Sequence, residues 1–317
     1  LTYSLKGCDK DSVNVFFVQS VPCTYSVAEN SDDYVLETSA CMMPDILAPI
    51  TESGIVARSG VWQSFYIVLS GLSAGKYTLK FSVSAAKGEV LGEIEYVLTV
   101  LEKKLPEFDF VCTFWMHYDS LADYYGLPLF LCSAVQHGLT MLLTPLFTPP
   151  LDTEIGKERM TVQLVDIEKE EGKYQFNFER LDWFMKFAEQ CGVKYFEMPH
   201  LFTQWGAEFT PKIVALADGK EQKIFGWEKK ALSKEYKEFL SAFLPSLRKW
   251  LIENRYYSRC YFHISDEPNE AAFEHYKECF HYVRQFLPDA KFTDALSHYE
   301  YYRQGLTDYP FIALDAT

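Results

Sequence analysis

Residues 258–268 read SRCYFHISDEP. The run from Arg259 to Ser265 has the composition of a strand entering a core, and it delivers two adjacent carboxylates, Asp266 and Glu267, against Pro268. A proline in the first turn of a helix with acids just upstream is an ordinary helix start: the ring pre-sets φ, and the carboxylates meet the positive end of the helix dipole. A helical pattern from about Asn269 to Phe286 agrees with that reading. Neighbouring side chains on a regular strand point to opposite faces. Both carboxylates can therefore enter one pocket only if the strand ends at them, and Pro268 favours such a turn.

The same strand-then-helix unit recurs outward from this point. Residues 108–115 (FDFVCTFW), 139–147, 193–202, 259–265, 290–296 and 310–316 read as strands. Between them, residues 177–192 place Leu181, Phe184, Met185 and Ala188 on one helical face, closed by Gly192. Residues 233–256 form a long helical pattern in which Pro245 is expected to bend or break the regularity. Trp183 and Trp250 lie at helical spacing and read as core, and IEKEEGK (167–173) reads as a solvated loop. Repeated β-then-α units imply a parallel sheet, and the length fits a (β/α)8 TIM-type barrel. Six strands before Thr317 are too few to close one, so the expectation is a barrel truncated at the C-terminus of this chain.

The first hundred residues have a different period. In GKYTLKFSVS, Tyr77, Leu79, Phe81 and Val83 share one face and Lys76, Thr78, Lys80 and Ser82 the other, the alternation of a half-buried antiparallel strand. Several such runs, punctuated by Gly, Ser, Asn and Asp, predict a β-sandwich. A short linker around Pro106 follows. The predicted organisation is a β-sandwich over residues 1–103 and an incomplete (β/α)8-barrel catalytic domain over 104–317.

Net charge −14 and a pI near 5.0 disfavour nucleic-acid partners, because a phosphate backbone would be repelled. No run approaches the roughly 18–20 apolar residues of a membrane span. The chain begins at Leu1, which is compatible with a removed signal peptide. Eight cysteines show no CxxC pair and no metal spacing. They read as structural thiols, which leans towards a reducing, cytoplasmic compartment over a secreted or cell-surface one. No cofactor and no metal are expected.

In a (β/α)8 barrel the chemistry sits where strands end. There this sequence places Trp115, His117, Tyr118 and Asp119, then His200, Gln204, Trp205 and Glu208, then His263, Asp266 and Glu267, then Asp294, His298, Tyr299 and Glu300, and finally Asp315. Aromatics beside His, Gln and carboxylates suit a sugar, with an aromatic face under the ring C–H groups and polar groups for the hydroxyls. His200 and His263 read equally as satisfied, buried histidines. Trp205, in a loop beside Gly206, is harder to place in a core.

HISDEP, YFEMPHLFTQWGAEFTPKI and TFWMHYDSLADYYGLPLF resemble, in this order and at strand ends, the catalytic domain of glycoside hydrolase family 123 and the wider bacterial family built on the same domain. The resemblance covers residues 106–317. It implies a β-N-acetylgalactosaminidase that works with retention by substrate assistance. Asp266 would orient the 2-acetamido group, and Glu267 would be the general acid and then the base. Trp115, His117, His200, Gln204, Trp205, His263, Asp294 and Tyr299 would bind substrate. Two carboxylates so close cannot both ionise cheaply, and the expectation is that Glu267 titrates high while Asp266 stays ionised. Two rivals are a conventional two-carboxylate glycosidase, drawing on Asp294, Glu300, Asp315 or a residue beyond Thr317, and a non-catalytic carbohydrate-binding barrel. Oligomeric state is open.

Overall fold

The computed structural model describes residues 2–24, 37–50, 54–56, 58–104, 106, 110–113, 115–118, 126–151 and 153–312. The chain divides into two compact units, Leu1–Glu107 and Phe108–Thr317.

The first unit contains β1 (Thr2–Lys6), β2 (Val13–Cys23), β3 (Cys41–Pro49), β4 (Ser64–Leu69), β5 (Gly75–Ser84) and β6 (Val90–Val100). They form two three-stranded sheets, ordered β1-β5-β6 and β3-β2-β4, with every pairing antiparallel. The alternation read in β5 is real: Leu79 and Phe81 are buried. Phe81 meets Phe65 of the other sheet edge-on, with ring centroids 5.3 Å apart.

In the second unit the described elements begin with α1 (Gly126–Gln136), β7 (Met141–Leu143), β8 (Asp166–Glu170), β9 (Lys173–Asn177) and α2 (Glu179–Gln190). They continue through β10 (Tyr195–Glu197), β11 (Ile213–Ala217), β12 (Lys220–Phe225), α3 (Lys234–Glu253) and β13 (Cys260–Phe262). α4 (Phe273–Arg284), β14 (Lys291–Leu296), α5 (Glu300–Arg303) and β15 (Tyr309–Ile312) complete the unit. β7, β10, β13, β14 and β15 make one sheet in sequence order, all parallel, a half-barrel. Of the strand expected at 108–115, Cys112 accepts the Thr140 and Met141 N–H groups at the start of β7, while residues 108, 109 and 114 lie outside the described residues. The last expected strand is β15, with residues 313–316 likewise outside.

The helices form because their apolar residues recur every three or four positions. α3 buries Tyr236, Phe239, Leu240, Phe243, Leu244, Leu247 and Leu251, each such burial being favourable by roughly 1.5–3 kcal/mol. Pro245 does not break this helix. It sits on the solvent face, so the carbonyl of Ser241 that loses its partner is also on the wet side. α2 buries the four residues read from its period, and Gly192 beyond its end adopts φ +102°.

Two expectations are corrected. The 167–173 run is a β8–β9 hairpin, not a loop. Glu171 and Gly172 both take positive φ, the geometry of a tight two-residue hairpin turn, and Ile167 is buried. A second hairpin, β11–β12, turns at Asp218–Gly219, an Asp-Gly signal present in the sequence. The two hairpins form a four-stranded sheet, β12-β11-β8-β9. Trp183 is not core: it is 51% exposed on α2 and stacks on Phe187 one turn on, with centroids 5.6 Å apart. Trp250 is partly buried against the core. The described cysteines are all free thiols.

Candidate active site

Beyond the formal strands, the chain segments after β10 and β13 continue side by side. Met198 N–H donates to Tyr261 O, Leu201 to His263 O, Phe202 to Ile264 O and Trp205 to Asp266 O, at 2.7–3.2 Å. Two loops at the carboxyl edge of the sheet are thereby held in register, and His263, Asp266 and Glu267 come to lie beside Glu197, His200 and Trp205.

Glu197 closes β10 and is fully buried. Its carboxylate accepts from Thr113 Oγ1 at 2.5 Å, Trp115 Nε1 at 2.8 Å and His263 Nε2 at 2.6 Å. The other imidazole nitrogen, Nδ1, donates to Asp294 Oδ1 at 2.8 Å. Asp294 Oδ2 in turn accepts the Tyr276 hydroxyl and the backbone N–H groups of Ile264 (3.3 Å) and Ser265 (3.5 Å). Burial by itself would lower the pKa of His263, but the hydrogen bonds to Asp294 and Glu197 outweigh it and push it up to about 10. A carboxylate at each nitrogen favours the doubly protonated, imidazolium form of the ring. Burial likewise opposes ionisation of Glu197, yet its hydrogen bonds, led by His263, hold it below the usual carboxylate range. For Asp294 burial prevails over His263 and Tyr276 and holds the group above that range.

Asp266, the first acid of the pair, is 7% exposed. Burial pushes it up to about 7, opposed by the positive charge of His263 and aided by the negative charges of Asp294, Glu267 and Glu197. The expectation that Asp266 stays ionised is therefore corrected: a carboxyl carried into a dry strand end loses the hydration that its anion needs. Glu267 is exposed and takes φ +43°, a left-handed conformation that costs a non-glycine residue energy. That twist lets consecutive side chains leave one turn together, one inward and one to the solvent.

The turn is braced from the neighbouring loop. Ser265 Oγ donates to Thr203 O (2.7 Å) and accepts the N–H groups of Gly206 (3.4 Å) and Ala207 (3.1 Å). Trp205 and Ala207 both have positive φ, and Gly206, at φ +131°, lies so close that a Cβ would sit 2.8 Å from that of Ala272. This loop leaves Trp205 40% exposed beside the acid pair.

His200 is fully buried, and neither ring nitrogen has a hydrogen-bond partner. Burial, with the charge of His263 adding to it, keeps it well below the usual imidazole value, so it is neutral. Its ring lies edge-on to Trp115 and to His263, at 5.1 and 4.8 Å between centroids. Gln204 donates to Thr153 O at 2.8 Å, leaving its buried Oε1 without a partner. Ligand atoms of His200, His263 and Asp294 lie within 4.8 Å of one another. Because His263 has a carboxylate on each nitrogen, it has no lone pair to offer a cation.

The structure thus gathers Trp115, His200, His263, Asp294, Asp266 and Trp205. His117 is instead bound by the guanidinium of Arg159 at 3.1 Å, and Tyr299 is 66% exposed against Tyr302. Among the alternative second carboxylates, Asp294 is committed to His263, Glu300 pairs with Arg303 at 2.7 Å, and Asp315, like Asp119, lies outside the described residues. Sequence reasoning missed Glu197, Thr113 and Tyr276. The available signal was a glutamate inside the apolar run YFEMP, since a charge there is buried only with partners.

The model of the family described as glycoside hydrolase 123, catalytic domain, matches residues 115–317. No curated protein sequence matches the chain. Among solved structures, the chain is similar to a family 123 glycoside hydrolase from Clostridium perfringens, whose structural analysis concerns glycolipid glycan hydrolysis, at TM-score 0.71 and 14% identity, covering 99% of this chain and 58% of that one. A β-glucuronidase from Parabacteroides merdae matches at TM-score 0.30 and 10% identity, over 94% of this chain and 36% of that one. Strand-end acids on a parallel half-barrel, within the matched residues, define a glycoside hydrolase catalytic domain. The chain belongs to glycoside hydrolase family 123. It spans 58% of the length of its Clostridium relative. Among the described residues no helix is long and apolar enough to cross a membrane.

Proposed function

We propose that this chain hydrolyses terminal β-linked N-acetylhexosamine, N-acetylgalactosamine in the first instance, with retention and by substrate assistance. The observation that carries this reading is the single turn that presents a buried acid, Asp266, and an exposed acid, Glu267. An exposed carboxyl can exchange protons with water between steps, as a group that is first acid and then base must. Glu267 donates its proton to the glycosidic oxygen as the bond to the anomeric carbon breaks. The carbonyl oxygen of the 2-acetamido group attacks that carbon and forms an oxazolinium ring. Asp266 accepts the acetamido N–H and stabilises the positive charge that develops there. Glu267 then takes a proton from water, which opens the ring. With no protein nucleophile, the carboxylate separation of about 5–5.5 Å used by ordinary retaining enzymes is not required.

A resting Asp266 near pH 7 is consistent with this cycle, since a cationic intermediate beside it favours the anion. Trp205 and the face of Trp115 are the stacking surfaces, the indole N–H of Trp115 being already bound to Glu197. In this reading the half-barrel is part of a (β/α)8 catalytic barrel, residues 104–317, and residues 1–103 are a β-sandwich. The partner is a glycan or glycoside. Glycolipid glycan hydrolysis by the Clostridium relative makes glycolipid glycans the first natural substrates to try.

The test uses nitrophenyl glycosides. The β-N-acetylgalactosaminide should be hydrolysed and the plain β-galactoside should not, and Glu267→Gln should lower kcat by about 10²–10⁴-fold. Turnover of the plain galactoside would show that the acetamido group is not the nucleophile, leaving a protein carboxylate or base-activated water in that role, and end the substrate-assisted scheme.

A further inference from the structure

We propose that Glu197, His263 and Asp294 form a positioning relay beneath the acid pair, in which a caged imidazolium orients Asp294 and Asp294 fixes the backbone turn that carries Asp266. The proposal rests on the functional reading above only in calling Asp266 the group that is positioned.

Three strands meet in this relay. Glu197 ends β10, His263 follows β13 and Asp294 lies within β14, so neighbouring parallel strands each supply one member. The two carboxylates cap opposite ends of one ring, at 2.6 and 2.8 Å, and all three side chains are at most 1% exposed. A ring held at both nitrogens cannot rotate or change tautomer. Glu197 is itself anchored by Thr113 and Trp115, and Asp294 by the Tyr276 hydroxyl. The same Asp294 oxygen that accepts the Tyr276 hydroxyl, Oδ2, also accepts the N–H groups of Ile264 and Ser265, the two residues before Asp266.

Folding alone does not call for such a construction. Three ionisable groups in a core replace apolar residues that would hold the sheet at least as well. Pre-organised charge next to a reacting group is, by contrast, useful, because its geometry need not be assembled during the reaction. The groups facing Asp266 are His263, which favours its anion, and Asp294, Glu267 and Glu197, which oppose it. The groups facing His263 are Glu197 from β10, Asp294 from β14 and the neutral ring of His200. Burial then sets the level from which these charges act.

The experiment has two arms on the full chain. Long-range proton–nitrogen correlation spectra of the ¹⁵N-labelled protein at pH 8, where an ordinary imidazole of pKa about 6.5 is neutral, should show His263 as an imidazolium. A neutral ring at that pH overturns the relay, whatever the enzyme turns over. In Asp294→Asn, kcat should fall about 10²-fold with KM changed less than threefold, as expected for misplacement of a reacting group. The acid midpoint of kcat/KM should move down, because a negative neighbour of Asp266 is gone. Amide resonances of residues 264–267 should shift in the same variant. Unshifted amides, or shifted amides with kcat and midpoint intact, overturn the positioning role. If no hexosaminide is hydrolysed by the wild type, the functional reading fails, and the imidazolium and amide shifts still decide the relay.

Discussion

Asp266→Asn should make the protein more stable at neutral pH while damaging its site. The folded carboxyl titrates near 7 against an ordinary value of 3.8. At 1.36 kcal/mol per pH unit, that difference corresponds to about 4 kcal/mol. The sign follows from proton uptake. Well below pH 3.8 both the folded and unfolded carboxyls are protonated, and the variant has no advantage. Between pH 4 and 7 the unfolded chain ionises while the folded site resists, so the wild type loses stability as pH rises. Above pH 7 both forms are ionised and the gap is constant. With only 7% of Asp266 exposed, solvent does little to soften the penalty. Asparagine keeps the shape of the neutral acid and never charges, so about 1–4 kcal/mol should be recovered above pH 7, the spread reflecting how well its amide finds partners. Urea titrations of both proteins at pH 4, 5.5, 7 and 8, read by tryptophan fluorescence, give the gap directly. A gap that does not grow between pH 4 and 7, or a variant less stable at pH 8 than the wild type, would refute the reasoning.

Glu197→Ala leaves the His263 charge half-paired in a dry core and should cost about 3–5 kcal/mol in denaturant unfolding; an unchanged midpoint would mean the ion cluster is not buried as described. Gly206→Ala drives a Cβ into Ala272 at 2.8 Å and should cost about 1–3 kcal/mol while loosening the Trp205 loop. A thermal melt equal to wild type would show that the loop can slide. Trp205→Ala should raise KM up to about tenfold, the loss of an aromatic stacking contact of about 0.5–1.5 kcal/mol. Its stability should change by less than about 0.5 kcal/mol, because the side chain is partly exposed. An unaltered KM would remove Trp205 from the substrate site.

The sequence by itself determined the elements whose pattern is local. Period-2 alternation marked β5, helical spacing marked α2 and α3, and the abrupt stop at Asp266, Glu267 and Pro268 marked the turn. Local patterns also erred where the deciding force was not local. A charged run became a hairpin because Glu171–Gly172 accepts positive φ and one isoleucine finds the core. A proline was tolerated because it faces water. Only the tertiary structure decided the charges of the site. Glu197, His263 and Asp294 are separated by 66 and 31 positions in the chain, and their protonation depends on burial and on one another, which no spacing encodes. The same holds for Asp266. In sequence it is one acid of a pair, and it becomes the acid held near pH 7 only because the sheet buries it among three other carboxylates and one imidazolium.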